Sequence, residues 1–241
     1  VGVLGAVLGG IFVEVFNWRT CYIIGGVMGL LLLLMRVSVK ESELFHKIKG
    51  HENVRKGNFF DLFQTWKCTK KFITCTLIGV PIWYVAGILM PFAPELGVNL
   101  GVTDPLLSSR AIAITYLGLA MGDFLSGVLS QALHSRKKAL AFFQIGCWLL
   151  IMILMFTAGG KGHIYFYFLA FWIGVGAGFW ALFVTVAAEN FGTNLRSTAA
   201  TSIPNFVRAG VFPMSLLLTP LKQYLPYWQA TLVVGFVVFT I

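Results

Sequence analysis

The sequence predicts an all-α fold, a polytopic bundle of helices that cross a membrane. Apolar residues make up 58% of the 241 positions and charged residues only 11%, whereas a soluble domain carries about 25% charged residues. The mean hydropathy is +0.83, and four stretches of 19 to 27 residues contain no Asp, Glu, Lys or Arg. Backbone groups in lipid must bond within their own segment, so such stretches are candidate membrane helices. A soluble enzyme, a secreted disulfide scaffold and a disordered chain are excluded.

Eight membrane spans are predicted in order along the chain. The four uncharged stretches are the clearest, and two further spans each contain one charge, Asp123 and Arg208. The span at 20–35 is flanked by Arg19 and Arg36, cations of the kind that anchor helices at membrane interfaces. The predicted spans are residues 1–16, 20–35, 72–94, 111–135, 139–160, 162–188, 197–221 and 223–241.

Lys and Arg residues are concentrated on one predicted side of the membrane. The side with the 36–71 loop and the turns at 134–138 and 189–203 has 14 of them, counting Arg208, and the other side has 4. Cytoplasmic loops carry the excess of Lys and Arg, so these connections are expected in the cytoplasm. The long loop divides the chain into three predicted parts, residues 1–36, 37–71 and 72–241. The whole is expected to be a multi-pass protein of the cytoplasmic or plasma membrane.

The sequence lacks the residue patterns that are typical of several functional classes. The four cysteines are scattered without a CxxC pair, so neither a zinc site nor a disulfide framework is expected. The net charge of +9 comes from bases that punctuate apolar segments, which membrane topology explains better than a nucleic-acid partner. Neither a phosphate-cradling glycine–lysine motif nor a nucleophile or metalloprotease motif is present. We therefore expect no cofactor and no enzymatic activity.

The connection between the fourth and fifth predicted spans carries a recognisable motif. Its residues are Gly127, Leu129 and a cluster of cations formed by Arg136, Lys137 and Lys138. The pattern resembles the cytoplasmic loop motif of the major facilitator superfamily, which occurs after the second helix and, in a weaker copy, after the eighth. Gln131 and His134 stand where the family has an aspartate and a second glycine, so this loop resembles the weaker copy.

Three other stretches resemble the same family, in the same order along the chain. Asn17-Trp18-Arg19 is similar to the entry into the family's sixth helix, and Arg36 with Glu41-Ser42 is similar to its exit in sugar and metabolite porters. Residues 189–199, ENFGTNLRSTA, resemble the signature after the tenth helix. The resemblance implies that the chain holds helices five to twelve of twelve, as an internal piece of a longer protein.

The resemblance also implies a function. It implies a secondary active transporter that moves a small polar metabolite, such as a sugar or an organic acid, by alternating access. By analogy, a proton or a sodium ion is the expected coupling ion, as in a symporter. A non-transporting membrane receptor or scaffold with this fold stays open as an alternative, because a fold does not dictate a function.

Seven residues are candidates for substrate binding or coupling. Arg208 carries a charge at membrane depth, and it either snorkels to the interface as an anchor or contacts an anionic group of the substrate. Asp123 either carries a coupling proton or pairs with helix ends or the Arg136 cluster as a gate. Proline pairs in spans 72–94 and 197–221 predict kinked, pocket-forming helices. The candidates are Arg208, Asn205, Asp123, Trp83, Tyr84, Trp172 and Trp180, with the last two expected on one helical face because eight residues separate them.

Residues near the helix ends are expected to act in conformational gating. They are Gly127, Arg136, Lys137, Lys138, Glu189 and Arg196. Glu189 and Arg196 are expected to form an ion pair, and Glu14 is expected to pair with Arg19. Four GxxxG pairs, at 5/9, 25/29, 118/122 and 174/178, are expected to bring helices into close contact.

Overall fold

The computed structural model describes residues 16–37, 59–192 and 195–241, together with Gly5, Leu8, Gly9 and Phe12. These residues form helices and connections, and no strand occurs among them. Most of the predicted span 1–16, with Glu14, and most of the loop at 37–71 lie outside the described residues. The fold below therefore concerns the predicted spans from residue 20 onward.

The helices follow one another with short connections. They are α1 (Trp18–Val37), a 3₁₀ turn (Phe59–Phe63), α2 (Trp66–Tyr84) continued by a π segment (Val85–Leu89), α3 (Ala93–Leu100), α4 (Ser108–Ala132), α5 (Arg136–Thr157), α6 (His163–Ala177), α7 (Trp180–Glu189), α8 (Arg196–Ala209), α9 (Val211–Tyr224) and α10 (Tyr227–Thr240). Within the described residues, four segments are long and apolar enough to cross a membrane: Trp66–Leu89, Ser108–Ala132, Arg136–Thr157 and His163–Glu189. Shorter apolar helices occur at Arg19–Met35 and Tyr227–Thr240. The predicted all-α membrane bundle is confirmed.

Three predicted spans are interrupted in the structure. The span at 72–94 begins earlier and passes into the π segment before a turn at Met90–Phe92 and the short helix α3. The span at 162–188 is divided at Gly178 into α6 and α7. The span at 197–221 is divided at Gly210, one turn before Pro213, which has no N–H to donate to the carbonyl of Ala209.

Two apolar clusters fill the bundle, one toward each end. The first gathers around Tyr84, Met90 and Phe166, and the second gathers around Phe72 and Phe183. The outward faces of the helices remain apolar, and they include large exposed side chains. Because such surfaces are stable only against hydrocarbon, the exposure pattern agrees with a bundle that has lipid as its surroundings.

Helices α4 and α6 approach each other through glycines. A Cβ atom added to Gly118 or Gly174 would lie far closer than 3.0 Å to a backbone carbonyl oxygen of the other helix, that of Phe171 or Thr115. Two of the predicted GxxxG pairs, 118/122 and 174/178, thus face each other across one helix interface. By contrast, nothing lies within 4 Å of a Cβ added to the glycines of the 5/9 and 25/29 pairs.

Substitution at this interface is expected to destabilise the fold. Gly174→Ala places a methyl group against the carbonyl of Thr115, where only backbone movement can make room, and overpacking of this kind costs about 1–3 kcal/mol. We expect a lower melting temperature in detergent. Gly146→Ala is the matched control, because nothing lies within 4 Å of a Cβ added there. Equal melting temperatures for the two variants would contradict the interpretation.

Candidate functional site

Arg208 lies between two indole rings. The guanidinium carbon is 5.7 Å from the ring centroid of Trp83 and 5.7 Å from that of Trp180. The two indoles meet edge to face, with centroids 6.5 Å apart. A guanidinium within about 6 Å of an aromatic face is attracted by the ring quadrupole. The two rings therefore hold the cation in a defined position without neutralising it.

Other side chains complete this site, which we call the Arg208 cage: Arg208, Asn205, Trp83, Trp180 and Tyr116. Arg208 Nη1 donates a hydrogen bond of 2.9 Å to Asn205 Oδ1, one turn earlier on α8. Tyr116 of α4 lines the same cavity of about 140 Å³ as Trp83, Trp180 and Arg208. Arg208 and Asn205 are exposed, so the cage is open on one side.

The cage lies where three helical segments are interrupted. Trp83 comes two residues before the π segment, Trp180 is the first residue of α7 after the break at Gly178, and Arg208 is in the last turn of α8 before Gly210. An interrupted helix leaves backbone donors and acceptors that are free to meet other groups. The structure thus places irregular backbone and a cation around one small cavity.

The depth of Arg208 bears on its role. Counting 1.5 Å per residue, it lies about 18 Å from the start of α8 and about 24 Å from the end of α9. The hydrocarbon core of a bilayer is about 30 Å thick. Arg208 is therefore near the middle of the α8–α9 segment, where it contacts two indoles.

Asp123 acts on the neighbouring helix end. Its Oδ1 accepts a hydrogen bond of 3.0 Å from the backbone N–H of Ala181, in the first turn of α7. A carboxylate at a helix N-terminus satisfies an unpaired N–H and interacts favourably with the helix dipole. Asp123 therefore contacts a helix end directly beside Trp180 of the cage.

Two aromatic candidates lie outside the cage. Tyr84 is fully buried and donates a hydrogen bond of 2.8 Å to the carbonyl oxygen of Thr231. Trp172 is 39% exposed and packs against Phe168 and Phe171. The prediction that Trp172 and Trp180 share a helical face is wrong, because the chain leaves the helix at Gly178 between them.

Tyr116 is the cage residue that sequence reasoning missed. It precedes Asp123 by seven residues, so the two residues lie about two turns apart on one face of α4. The seven-residue spacing from Asp123 is the feature of the sequence that points to Tyr116.

The ion pair among the gating candidates joins Arg136 to Glu189, linking the start of α5 to the end of α7. The expected pair of Glu189 with Arg196 does not occur in the described part of the chain, where Arg196 is exposed at the start of α8. Glu189 ends α7 and Arg196 begins α8, so the two residues belong to different helices and helical spacing does not bring them together. Lys137 and Lys138 are exposed, and Gly127 has open space beside it.

At the other end of the bundle, Asp104 holds the α5–α6 connection. Its Oδ2 accepts hydrogen bonds from the backbone N–H of His163 at 3.1 Å and from its Nδ1 at 2.8 Å. The backbone bond, followed by the side-chain bond, lowers the pKa of Asp104. An ion pair at this same end of the bundle joins Lys222 of α9 to Glu95 of α3 at 2.8 Å.

The Arg136–Glu189 pair gives a stability test that separates it from the pair expected from sequence. A double-mutant cycle of Arg136→Ala and Glu189→Ala should yield a coupling energy up to about 1 kcal/mol, the usual scale for a part-exposed pair. A matched cycle of Arg196→Ala and Glu189→Ala should yield none. Thermal unfolding in detergent measures both cycles. Coupling in the Arg196 cycle alone would contradict the assignment.

The Asp104 contact predicts a pH dependence. Because its folded pKa is lowered, the contact contributes its full stability above the ordinary Asp pKa of about 3.9, and this contribution is lost as the pH falls through the lowered value. Asp104→Asn should melt below the wild type at pH 7, and this difference should shrink as the pH falls below the ordinary pKa of an aspartate. A constant difference across melting curves from neutral to acid pH would contradict this.

Comparison with known proteins agrees with the architecture. The family model described as Major Facilitator Superfamily matches residues 1–213. No curated protein and no solved structure matches the chain. The family match covers most of the chain and includes the helices that form the Arg208 cage. The chain therefore belongs to the Major Facilitator Superfamily, a family of membrane transporters.

Proposed function

We propose that this transporter moves a small polar metabolite with a carboxylate or phosphate group across the plasma membrane by alternating access. The observation that carries the proposal is the guanidinium of Arg208, held between Trp83 and Trp180 and open on one side. A charge at membrane depth is costly and marks a functional site by default. An organic acid fits this cage better than a neutral sugar, because only an anion compensates the cation.

The guanidinium geometry supports recognition of an anion. The side chain has five N–H donors in a planar fork, and the structure assigns one bond of Nη1 to Asn205. The remaining donors suit two parallel hydrogen bonds to a carboxylate or phosphate. The two indoles limit the rotation of the fork, so less conformational entropy is lost when an anion binds. Tyr116 adds a hydroxyl at the same cavity.

Alternating access requires parts that separate and rejoin at the two ends. We assign these roles to Arg136–Glu189 at one end and to Lys222–Glu95 at the other, since each pair joins different helices. Part-exposed pairs are weak enough to break and reform. The helix interruptions beside the cage are suitable hinge points. We also propose that the chain is divided for this purpose into residues 1–36 and 72–241, with residues 37–71 as the loop that connects them.

Asp123 is our candidate for coupling to a proton or a sodium ion. Its carboxylate bonds the first turn of α7, whose first residue, Trp180, is a wall of the cage. Protonation would remove the negative charge from this helix N-terminus and weaken the bond. Binding of an ion at Asp123 would thereby alter the position of Trp180 relative to Arg208. A symporter requires such a connection between ion binding and substrate binding.

Uptake into proteoliposomes tests the proposal. We expect wild-type protein to accumulate a radiolabelled dicarboxylate or sugar phosphate from a panel that also includes a neutral sugar. Arg208→Gln should raise the KM for the anion by about 10- to 100-fold, the equivalent of a charge-assisted hydrogen bond. Arg208→Lys should have an intermediate effect, because it keeps the charge and loses the planar fork. Arg110→Gln is the control, an exposed arginine at the start of α4, outside the cage.

Three outcomes would overturn the proposal. Absence of flux for every solute, with or without ion gradients, would favour the non-transporting receptor or scaffold. If both Arg208 variants transported the anion with an unchanged KM, the Arg208 cage would not take part in substrate recognition. A neutral sugar as the preferred solute would overturn the assigned substrate class.

A further inference from the structure

A second cavity lies on the outer surface of α4, α5 and α6. Its volume is about 410 Å³, and it shares no lining residue with the cavity of the Arg208 cage. Its lining is almost entirely apolar, and several of its walls are exposed side chains such as Val128 and Phe142. We call it the α4–α5 groove. Its lining residues are Leu125, Val128, Leu129, Ala132, Phe142, Phe143, Gly146, Leu150, Trp172, Val175 and Gly176.

The groove is elongated along the helices. On α5 it runs from Phe142 to Leu150, about 12 Å at 1.5 Å per residue. This length is close to half of the roughly 30 Å hydrocarbon core, which is the depth of one lipid leaflet. Gly146 leaves the middle of the groove empty, since nothing lies within 4 Å of a Cβ added there. The shape suits a hydrocarbon chain lying parallel to α5.

Positive charge is concentrated at one end of the groove. Lys138 precedes Phe142 by four residues, so it lies one turn beyond the groove on the same face of α5. Lys137 and Lys138 are exposed, and no Asp or Glu occurs from Ser130 to Leu140. Arg136 is engaged by Glu189. Among the described residues, Lys138 is therefore the cation on the groove face of α5, and Lys137 is an exposed cation about 100° further round the same helix end. The N-terminal dipole of α5 adds to the positive potential.

From this combination we propose that the α4–α5 groove binds an anionic glycerophospholipid. One acyl chain occupies the apolar groove, and the headgroup phosphate contacts Lys137 and Lys138. An apolar channel alone suits any hydrocarbon, and surface lysines alone attract any anion. Their arrangement end to end, at the depth of one leaflet, matches a molecule with a hydrocarbon chain and a phosphate. The site does not depend on the proposed substrate, because the groove and the cage are separate.

Lipid binding to the purified full chain tests this site. Native mass spectrometry counts bound lipids after titration with phosphatidylglycerol or with phosphatidylcholine of the same acyl chains. We expect wild-type protein to retain phosphatidylglycerol preferentially. Gly146→Leu fills the groove from its floor, and Val128→Trp fills it from the α4 wall as a second variant. Either should reduce the apparent affinity by at least about 10-fold, because the acyl chain loses its place.

The headgroup arm uses a matched charge control. Lys137→Gln combined with Lys138→Gln should weaken phosphatidylglycerol binding by about 10- to 30-fold, the effect of two surface cations. Arg110→Gln combined with Lys161→Gln removes the same charge at the other end of the bundle, from exposed residues outside the groove. This control should bind phosphatidylglycerol as the wild type does.

Three results would overturn the proposal. If the protein retained phosphatidylcholine as well as phosphatidylglycerol, the anionic headgroup would have no role in binding. Unchanged phosphatidylglycerol binding in both groove-filling variants would show that the lipid does not bind in the groove. Loss of a dimer in those variants, with lipid binding unchanged, would assign the groove to a second copy of the chain. Melting temperatures recorded for each variant confirm that the protein tested is folded.

Discussion

The close contact of α4 with α6 is the constraint on which the site depends. Glycines of both helices, Gly118 and Gly122 facing Gly174 and Gly178, let the backbones meet without side chains between them. At Gly178 the helix is broken, and the chain restarts as α7 at Trp180. Any larger side chain along this contact would push the helices apart. The same contact sets the position of Trp180, and therefore one wall of the Arg208 cage.

A break in a helix exposes backbone groups that lipid cannot satisfy, so each break needs a partner. Asp123 supplies one, accepting the N–H of Ala181 at the start of α7. The π segment supplies another, since the N–H of Met90 donates to the carbonyl of Val85. At Gly210 the backbone keeps helical dihedrals, so the interruption there is small. The irregular segments are thus tolerated, and they are the segments that surround the cage.

The charges of the bundle are divided between its ends and its interior. Ion pairs at the two ends, Arg136–Glu189 and Lys222–Glu95, are partly exposed and contribute little to stability. Arg208, by contrast, meets two indoles and an amide oxygen, and no carboxylate contacts it in the described residues. A cation held only by neutral groups keeps most of its capacity to bind an anion. This difference in partners supports the binding role that we propose for Arg208.

The amino-acid sequence determined the all-α membrane class and the family, because hydrophobic length and cation placement are local properties that lipid enforces segment by segment. It also singled out Arg208, Asn205, Trp83, Trp180 and Asp123, since charges and aromatic residues stand out in an apolar chain. Only the tertiary structure decided which of them meet. The break at Gly178 separates Trp172 from Trp180, Tyr116 reaches the cage from another helix, and Glu189 takes Arg136 as its partner instead of Arg196. These outcomes depend on how helices distant in sequence pack together, and helical periodicity carries no information once a helix is interrupted.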